Sequence, residues 1–251
     1  MDAIQIPDLA PVSSLSTFAF VAIVAAIGIT FVVAVRTTAL RCQRDENIAR
    51  LHTLFATVLT IAYAGFTAGA AYSGILERGD PIPNALPFMF ICILLLVMVA
   101  FSSLGTRMVH NLPITAIVAF QGFRLPLELI LHRWYLEGVV PVQMTFEGHN
   151  FDIFSGIVAL ILAFAVGKGI AGWKSILAYN IVGTILLMVV TSIALLSSPL
   201  PIRSYENEPV LVLVFNAPYI WILSFCVAGA LGGHILVFRW LFWSRRQSPA
   251  T

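Results

Sequence analysis

Four polar side chains interrupt an apolar stretch in the middle of the chain: Gln121, Arg124, Glu128 and His132. In an α-helix, where successive residues are rotated by about 100°, they fall within an arc of about 80° and share one face. Hydrocarbon cannot hydrate such a face, so it must contact other helices or line a cavity, and it is a candidate functional site. The competing interpretation is a structural ion pair between Arg124 and Glu128, which are spaced i to i+4.

Arg124 and Glu128 determine the chemistry that this face could support. Arg124 would supply a fixed charge and paired hydrogen-bond donors, and Glu128 would orient it or exchange a proton. The first hypothesis is therefore binding of a small polar or anionic ligand, a lipid headgroup or an ion, by a transporter, sensor or accessory subunit. The alternative is a membrane enzyme acting on a lipid or isoprenoid, with Glu128 or Glu147 as general acid or base.

The composition is that of an integral membrane protein. Of the 251 residues, 59% are hydrophobic and only 10% are charged, and the net charge of +2 is too small to indicate nucleic-acid binding. Apolar stretches of about 20 residues predict helices that cross a bilayer. We predict one all-α domain over residues 1–251, a bundle of seven transmembrane helices at about 15–35, 53–76, 85–106, 112–132, 152–167, 173–197 and 209–243.

The basic residues predict the orientation, because short cytoplasmic loops carry an excess of Lys and Arg. An N-terminus outside and a C-terminus in the cytoplasm put ten basic residues on the inner side and three on the outer side. The inner set is Arg36, Arg41, Arg44, Arg50, Arg107, Lys168, Lys174, Arg239, Arg245 and Arg246, and the outer set is Arg78, Arg133 and Arg203. The predicted location is the inner (plasma) membrane of the cell, with multiple passes.

Two predicted spans are irregular. The fifth, 152–167, would be about 22 to 24 Å long, against a hydrocarbon core of about 30 Å. The partly apolar segment before it, 139–151, contains Pro141 and Gly148, and at membrane depth such a segment must be buried in protein or line a cavity. The seventh contains Pro218, which should kink the helix or start it afresh. Both irregularities fall on the outer side.

Polar groups of the loops and span ends should converge on the same outer side. We therefore predict an outward-facing polar pocket around Arg124 and Glu128. Its candidate ligand-binding residues are Gln121, Arg124, Glu128, His132, Glu147, Asn150, Asp152, Asn207, Glu208 and Asn216. Asn180 and Gln121 are also expected to form hydrogen bonds across helices.

Several segments resemble a known group of proteins. They are Phe123-Arg124-x-Pro126-x-Glu128-Leu129, the stretch Pro141–Asp152 with Gln-Met-Thr-Phe-Glu-Gly-x-Asn-Phe-Asp, Asn207-Glu208-Pro209 and Gly233-His234. In these segments the chain resembles an uncharacterised family of bacterial multi-span membrane proteins. The resemblance covers most of the chain from the fourth span onward. It implies that the pocket residues and His234 belong to the family pattern, and it brings no activity with it.

Histidines leave a cofactor hypothesis open. His52 and His234 could face each other as the two ligands of a haem, and His110 lies towards the same side. No His-Glu-x-x-His or comparable motif accompanies them, so we predict no metal site and leave the cofactor unassigned. The remaining alternative is a haem-binding, pigment-binding or structural subunit of a membrane complex. The expected partners are the lipid bilayer and a pocket ligand, with a membrane-protein partner or a second copy of the chain as a further alternative.

Overall fold

The computed structural model describes residues 6–43, 45–79 and 82–247, so Arg44, which contributes to the charge argument, lies outside the described residues. Regular secondary structure in this part of the chain is entirely helical. The first half forms α1 (Ser14–Gln43), α2 (Glu46–Tyr72), α3 (Ala85–Phe101), α4 (Ser103–Asn111), α5 (Ile114–Phe120) and α6 (Arg124–Leu136). The second half forms α7 (Asp152–Gly167), α8 (Trp173–Ser197), a π-helical turn (Ile222–Val227) and α9 (Ala228–Gln247).

Five of these helical stretches are long and apolar enough to cross a membrane, and the bent pair α3 and α4 makes up to six. The α7 helix has only 16 residues, about 24 Å, and falls short of a full crossing, as its sequence predicts. Large apolar side chains such as Phe55, Phe90 and Phe164 are more than half exposed, which suits a surface in contact with lipid. The structure therefore confirms an all-helical fold typical of a membrane protein, with five or six candidate spans.

The fourth predicted span is one helical stretch with a break in the middle. The α5 helix ends at Phe120, a 3₁₀ turn covers Gln121–Phe123, and α6 begins at Arg124. Pro126 lies in the first turn of α6, where its missing N–H group removes no required hydrogen bond.

The seventh predicted span begins later than its sequence indicates. Residues 209–221 are apolar but contain only a short 3₁₀ turn at Leu213–Phe215, and the long helix starts at Ile222. The prediction of helix from 209 is wrong because Pro209 and Pro218 cannot donate to a helical ladder. Apolar residues of this segment, including Leu211 and Ile220, are buried against other parts of the protein.

The bend between α3 and α4 is closed by an arginine from the last helix. Ser102 has an extended backbone and caps α4 by accepting hydrogen bonds from the N–H groups of Leu104 and Gly105. The guanidinium of Arg239 donates to the backbone carbonyl of Ala100, which the bend frees, and to the hydroxyl of Thr106 at 2.6 Å. The two helix axes meet at 57°.

The core at the predicted outer end is aromatic. The ring of Trp134 on α6 lies 5.2 Å from that of Phe20 on α1 and 5.4 Å from that of Tyr219, centroid to centroid. Each such pair contributes about 0.5 to 1.5 kcal/mol beyond its buried area. The segments 139–151 and 198–221, whose regular structure is limited to short 3₁₀ turns, pack beside this core. Gln143 links them by accepting a hydrogen bond from Asn207, and it also donates to Ser197 at the end of α8. Both segments are therefore held by protein contacts.

Candidate functional site

Arg124 is 1% exposed, and its guanidinium forms a two-point ion pair with Asp152, the first residue of α7. The Nε–H group donates to Oδ2 of Asp152 at 2.6 Å, and Nη2 donates to Oδ1 of the same carboxylate. Charge-assisted pairs with this fork geometry are among the strongest hydrogen bonds in proteins. Asp152 is also well placed at a helix N-terminus, where a negative charge is stabilised.

The remaining donors of Arg124 are also occupied. Nη1 donates to Oγ of Ser155 at 2.8 Å and to Nε2 of His234 at 3.0 Å. The carbonyl oxygen of Gly183 lies 3.3 Å from both Nη1 and Nη2. A guanidinium has five N–H groups, and each of them has an acceptor within the protein. We call Arg124, Asp152, Ser155, Asn180 and His234 the Arg124 cluster.

The contacts of His234 determine its tautomer. Arg124 can only donate, so Nε2 of His234 must accept and carries no proton. Nδ1 lies 2.8 Å from Oδ1 of Asn180, while the amide nitrogen of Asn180 donates to the backbone carbonyl of His234. The Nδ1–H group therefore donates to Asn180, and the imidazole is neutral. The predicted hydrogen bonds of Asn180 across helices are confirmed.

Glycines make room for this cluster. A Cβ atom on Gly183 would lie 2.7 Å from Cε1 of His234 and 3.1 Å from Oγ of Ser155. A Cβ atom on Gly156 would lie 2.4 Å from the backbone nitrogen of Leu125, which shows how closely α6 and α7 approach beside the ion pair. Helices that approach this closely need residues without side chains at the contact.

Glu128 belongs to a separate contact one turn further along α6. Its Oε2 accepts a hydrogen bond of 2.7 Å from the side-chain amide of Asn150, which also donates to the carbonyl of Met144. The Oδ1 atom of Asn150 accepts from the backbone N–H of Asp152 at 3.0 Å, so Asn150 connects Glu128 with the start of α7. The ion pair of Arg124 with Glu128, which was the competing interpretation of this face, does not form, because Asp152 occupies the guanidinium. Glu128 has no basic group within 4 Å among the described residues.

Glu128 lines a cavity of about 100 Å³, which we call the Glu128 cavity. Arg124 and Asp152 also border it, and most of the remaining wall is apolar. One wall is the π-helical turn, through Ile222, Leu223, Cys226 and Val227. Single π-helical turns within long helices occur frequently at functional sites. The cavity thus combines a buried carboxyl group, an apolar lining and an irregular helix.

Gln121 is fully buried beside this site. Its side-chain nitrogen donates to the backbone carbonyl of Ala230 at 2.8 Å, so the predicted hydrogen bond across helices is confirmed. Its Oε1 atom has no hydrogen-bond partner among the described residues. The carboxamide is therefore only half satisfied, which is uncommon for a buried polar group.

The other predicted site residues lie outside the Glu128 cavity. His132 stacks on Phe146, and its Nε2 lies 3.7 Å from the half-exposed carboxylate of Glu147. Asn216 donates to its own segment, at the carbonyl of Val212. Asn207 and Glu208 are exposed, and Glu208 pairs with Arg203 at 3.3 Å. The structure thus brings together Arg124, Glu128, Asn150 and Asp152, with Gln121 beside them.

The contacts of the histidines bear on the haem and metal hypotheses. Both ring nitrogens of His234 are engaged, which leaves no free nitrogen for a haem iron. The ring of His110 packs at a tilt against that of Trp243, with centroids 4.8 Å apart. Among the described residues, no three His, Cys, Asp or Glu side chains are grouped as a metal site requires.

The sequence argument missed Ser155, Asn180, Gly183 and His234 as partners of Arg124. Asn180 and His234 were visible as polar residues inside apolar stretches, and His234 also belongs to the Gly233-His234 segment of the resemblance, but neither signal indicated Arg124 as the partner. Comparisons with protein-family models, with curated proteins and with solved structures find no match to this chain.

Proposed function

We propose that this protein is a membrane-embedded binding protein that takes a small ligand into the Glu128 cavity from the outer side, as a transporter, sensor or accessory subunit. The observation that carries this proposal is the environment of Glu128. Its carboxyl group is 1% exposed, accepts one side-chain hydrogen bond from Asn150, and borders an apolar cavity. A buried carboxyl group without a charged partner is costly for stability and is retained where it has a function.

The chemistry of the cavity favours a ligand that donates hydrogen bonds or carries a positive charge on an apolar body. Glu128 would bind the donor or cationic group, while side chains such as Leu127 and Leu223 would contact the apolar part. An anionic ligand would need Arg124, and all its donors are already directed at protein acceptors. Anion binding at this site therefore requires Asp152 to release the guanidinium first.

The membrane arrangement is part of the proposal. We infer seven spans, with the N-terminus outside and the C-terminus in the cytoplasm of a bacterial plasma membrane. The short α7 helix would complete its crossing through the buried segment 139–151, in which Val140, Thr145 and Asn150 are fully enclosed by protein. The excess of basic residues on one side supports this orientation. The resemblance to bacterial multi-span membrane proteins agrees with this arrangement. We propose membership of that family together with it.

Cys42 gives a direct test of the orientation. It is exposed near the end of α1, whereas Cys92 and Cys226 are buried, so it is the natural site for a thiol reagent among the three cysteines. We expect a membrane-impermeant maleimide to label Cys42 only after the cells are permeabilised. A control variant, Cys42→Ser with Glu206→Cys, moves the thiol to an exposed loop residue on the opposite side and should be labelled in intact cells. The reverse pattern would refute the orientation.

The ligand hypothesis is tested by comparing two carboxyl groups. The protein is purified in native lipid, and the small molecules that accompany it are quantified by mass spectrometry and located by density next to Glu128. Glu128→Gln keeps an acceptor for Asn150 but removes the charge, and we expect a loss of about tenfold or more in ligand retention. Glu147→Gln, at a half-exposed carboxylate outside the cavity, is the matched control. Equal retention in wild type and Glu128→Gln would refute binding at this site.

Turnover separates this proposal from the alternative of a membrane enzyme with Glu128 or Glu147 as acid or base. An enzyme would release a chemically altered lipid or isoprenoid, and its turnover would fall in one of the two Gln variants. A binding protein would return its ligand unchanged.

A further inference from the structure

A second and larger cavity is bordered by Phe120 and Gly233, close to Gln121. It has a volume of about 560 Å³, and residues of α1 to α5, of the π-helical turn and of α9 form its walls. Several apolar side chains on its rim, including Val33, Leu59 and Leu95, are about half exposed. The cavity therefore opens sideways, towards the region that lipid would occupy. We call it the lateral cleft.

The long wall of the cleft follows one stripe of α1. Ile27, Phe31, Ala34 and Arg41 recur on the same side of this helix and all border the cleft. From Ile27 to Arg41 the stripe is about 21 Å long. One leaflet of hydrocarbon is about 15 Å deep. A single acyl chain that enters beside Arg41 therefore has an apolar wall along most of one leaflet.

Arg41 carries the only charge among the described residues that line the cleft. One of its N–H groups donates to the backbone carbonyl of Asn111, and its side chain is exposed. No carboxylate of the described residues pairs with it, whereas the neighbouring Arg36 is paired with Glu46 at 2.6 Å. The cleft thus has an apolar body and a cationic end with free donor capacity.

We propose that the lateral cleft binds one acyl chain of an anionic phospholipid and that Arg41 contacts its phosphate. A guanidinium matches phosphate oxygens with several parallel hydrogen bonds. Anionic lipids are concentrated in the cytoplasmic leaflet, the side on which the basic residues place Arg41. This lipid site is separate from the Glu128 cavity and does not depend on the ligand proposed there.

Headgroup selectivity is the first test. Native mass spectrometry of the delipidated, full-length protein is used to measure the binding of dioleoyl phosphatidylglycerol and dioleoyl phosphatidylcholine, with glycerol 3-phosphate as a headgroup without chains. We expect wild type to bind one phosphatidylglycerol in preference to phosphatidylcholine. Arg41→Ala should lower the affinity for phosphatidylglycerol about fivefold. Arg107→Ala removes an exposed arginine outside the cleft and should change nothing. An unchanged preference in Arg41→Ala would overturn the role of Arg41.

Filling the cleft is the second test. Ala116 is exposed on α5 and borders the cleft, so Ala116→Trp places an indole in the space proposed for the acyl chain. We expect this variant to lose both phospholipids, while Ala62→Trp, on an exposed face of α2 away from the cleft, binds like wild type. Thr37→Phe fills the cleft from α1 and replaces Ala116→Trp if that variant does not fold. Undiminished lipid binding in a folded, filled variant, or tight binding of glycerol 3-phosphate alone, would refute an acyl-chain site.

Discussion

Arg124 and Asp152 are 28 positions apart in the chain, yet their side chains form a two-point ion pair inside the helix bundle. Asp152 is the first residue of α7, and Arg124 is the first residue of α6 after the 3₁₀ break. The pair thus joins two helix starts at the same level. Ser155, His234 and the carbonyl of Gly183 accept the other hydrogen bonds of the guanidinium, so α7, α8 and α9 are tied to α6 at one point.

The first prediction concerns the charge balance of this pair. Asp152→Ala leaves the guanidinium buried without a counter-charge, and we expect it to lower the free energy of unfolding by about 3 to 5 kcal/mol. The double variant Arg124→Met with Asp152→Ala removes both charges and should recover most of that loss. Thermal unfolding in detergent micelles measures the stability of the single and of the double variant. Glu208→Ala, which removes an exposed ion pair, should cost less than about 1 kcal/mol. A double variant as unstable as Asp152→Ala would show that the unpaired charge is not the cause.

A second prediction concerns the space beside the cluster. Gly183→Ala would bring a methyl group to 2.7 Å from Cε1 of His234, so His234 or Arg124 must move. We expect a loss of about 1 to 3 kcal/mol, typical of an overpacked core, together with an altered imidazole NMR signal of His234. Gly69→Ala is the control, because no atom lies within 4 Å of its added carbon; it should be neutral or stabilise α2 by up to about 1 kcal/mol. Equal effects of the two variants would contradict the tight packing around His234.

The polar face of the fourth span could be predicted from the sequence because it depends on one helix alone. Gln121, Arg124 and Glu128 are 0% to 1% exposed. This burial is expected, because a rotation of about 100° per residue puts them on one helix face, and a polar face in an apolar stretch must turn away from lipid. Their partners could not be predicted in the same way. Whether Arg124 meets Glu128 or Asp152 depends on the depth at which α7 starts, and that depth is set by the folding of the segment 139–151.

The bounds of the last span show a second limit of sequence reasoning. Hydropathy cannot distinguish an apolar segment in contact with lipid from one buried in protein. The hydropathy of Val212, Leu213 and Phe215 indicates a membrane helix, yet they lie in a segment with only a short 3₁₀ turn and are almost fully buried by protein. Pro218 was the signal for the later start, since a proline there should kink the helix or start it afresh, and the long helix begins after it.

A third prediction concerns the bend between α3 and α4. Arg239→Ala removes the donor for the buried carbonyl of Ala100, and an unpaired buried carbonyl costs about 1 to 3 kcal/mol. We expect lower thermal stability and faster hydrogen exchange of amides around Ser102. Arg107→Ala, at an exposed arginine on α4 itself, should leave both unchanged. If exchange at the junction stays slow in Arg239→Ala, then Ser102 alone holds the bend.

The last prediction is a pH dependence that arises where α1 begins. The carboxylate of Glu137, which follows α6, accepts hydrogen bonds from the backbone and hydroxyl of Ser13, from the hydroxyl of Ser16 and from Arg133. Burial alone raises the pKa of Glu137, but these hydrogen bonds together outweigh burial and lower the pKa below its ordinary value. The unfolded carboxyl group therefore takes up its proton at a higher pH than the folded one. Its stabilising contribution is complete above the ordinary pKa of about 4.3 and is lost as the pH falls through the lower folded pKa.

We expect wild type to unfold at a higher temperature than Glu137→Gln at pH 7, with the difference shrinking below about pH 4. A gap between wild type and Glu137→Gln that stays constant from pH 7 to pH 3 would refute the role of the carboxylate.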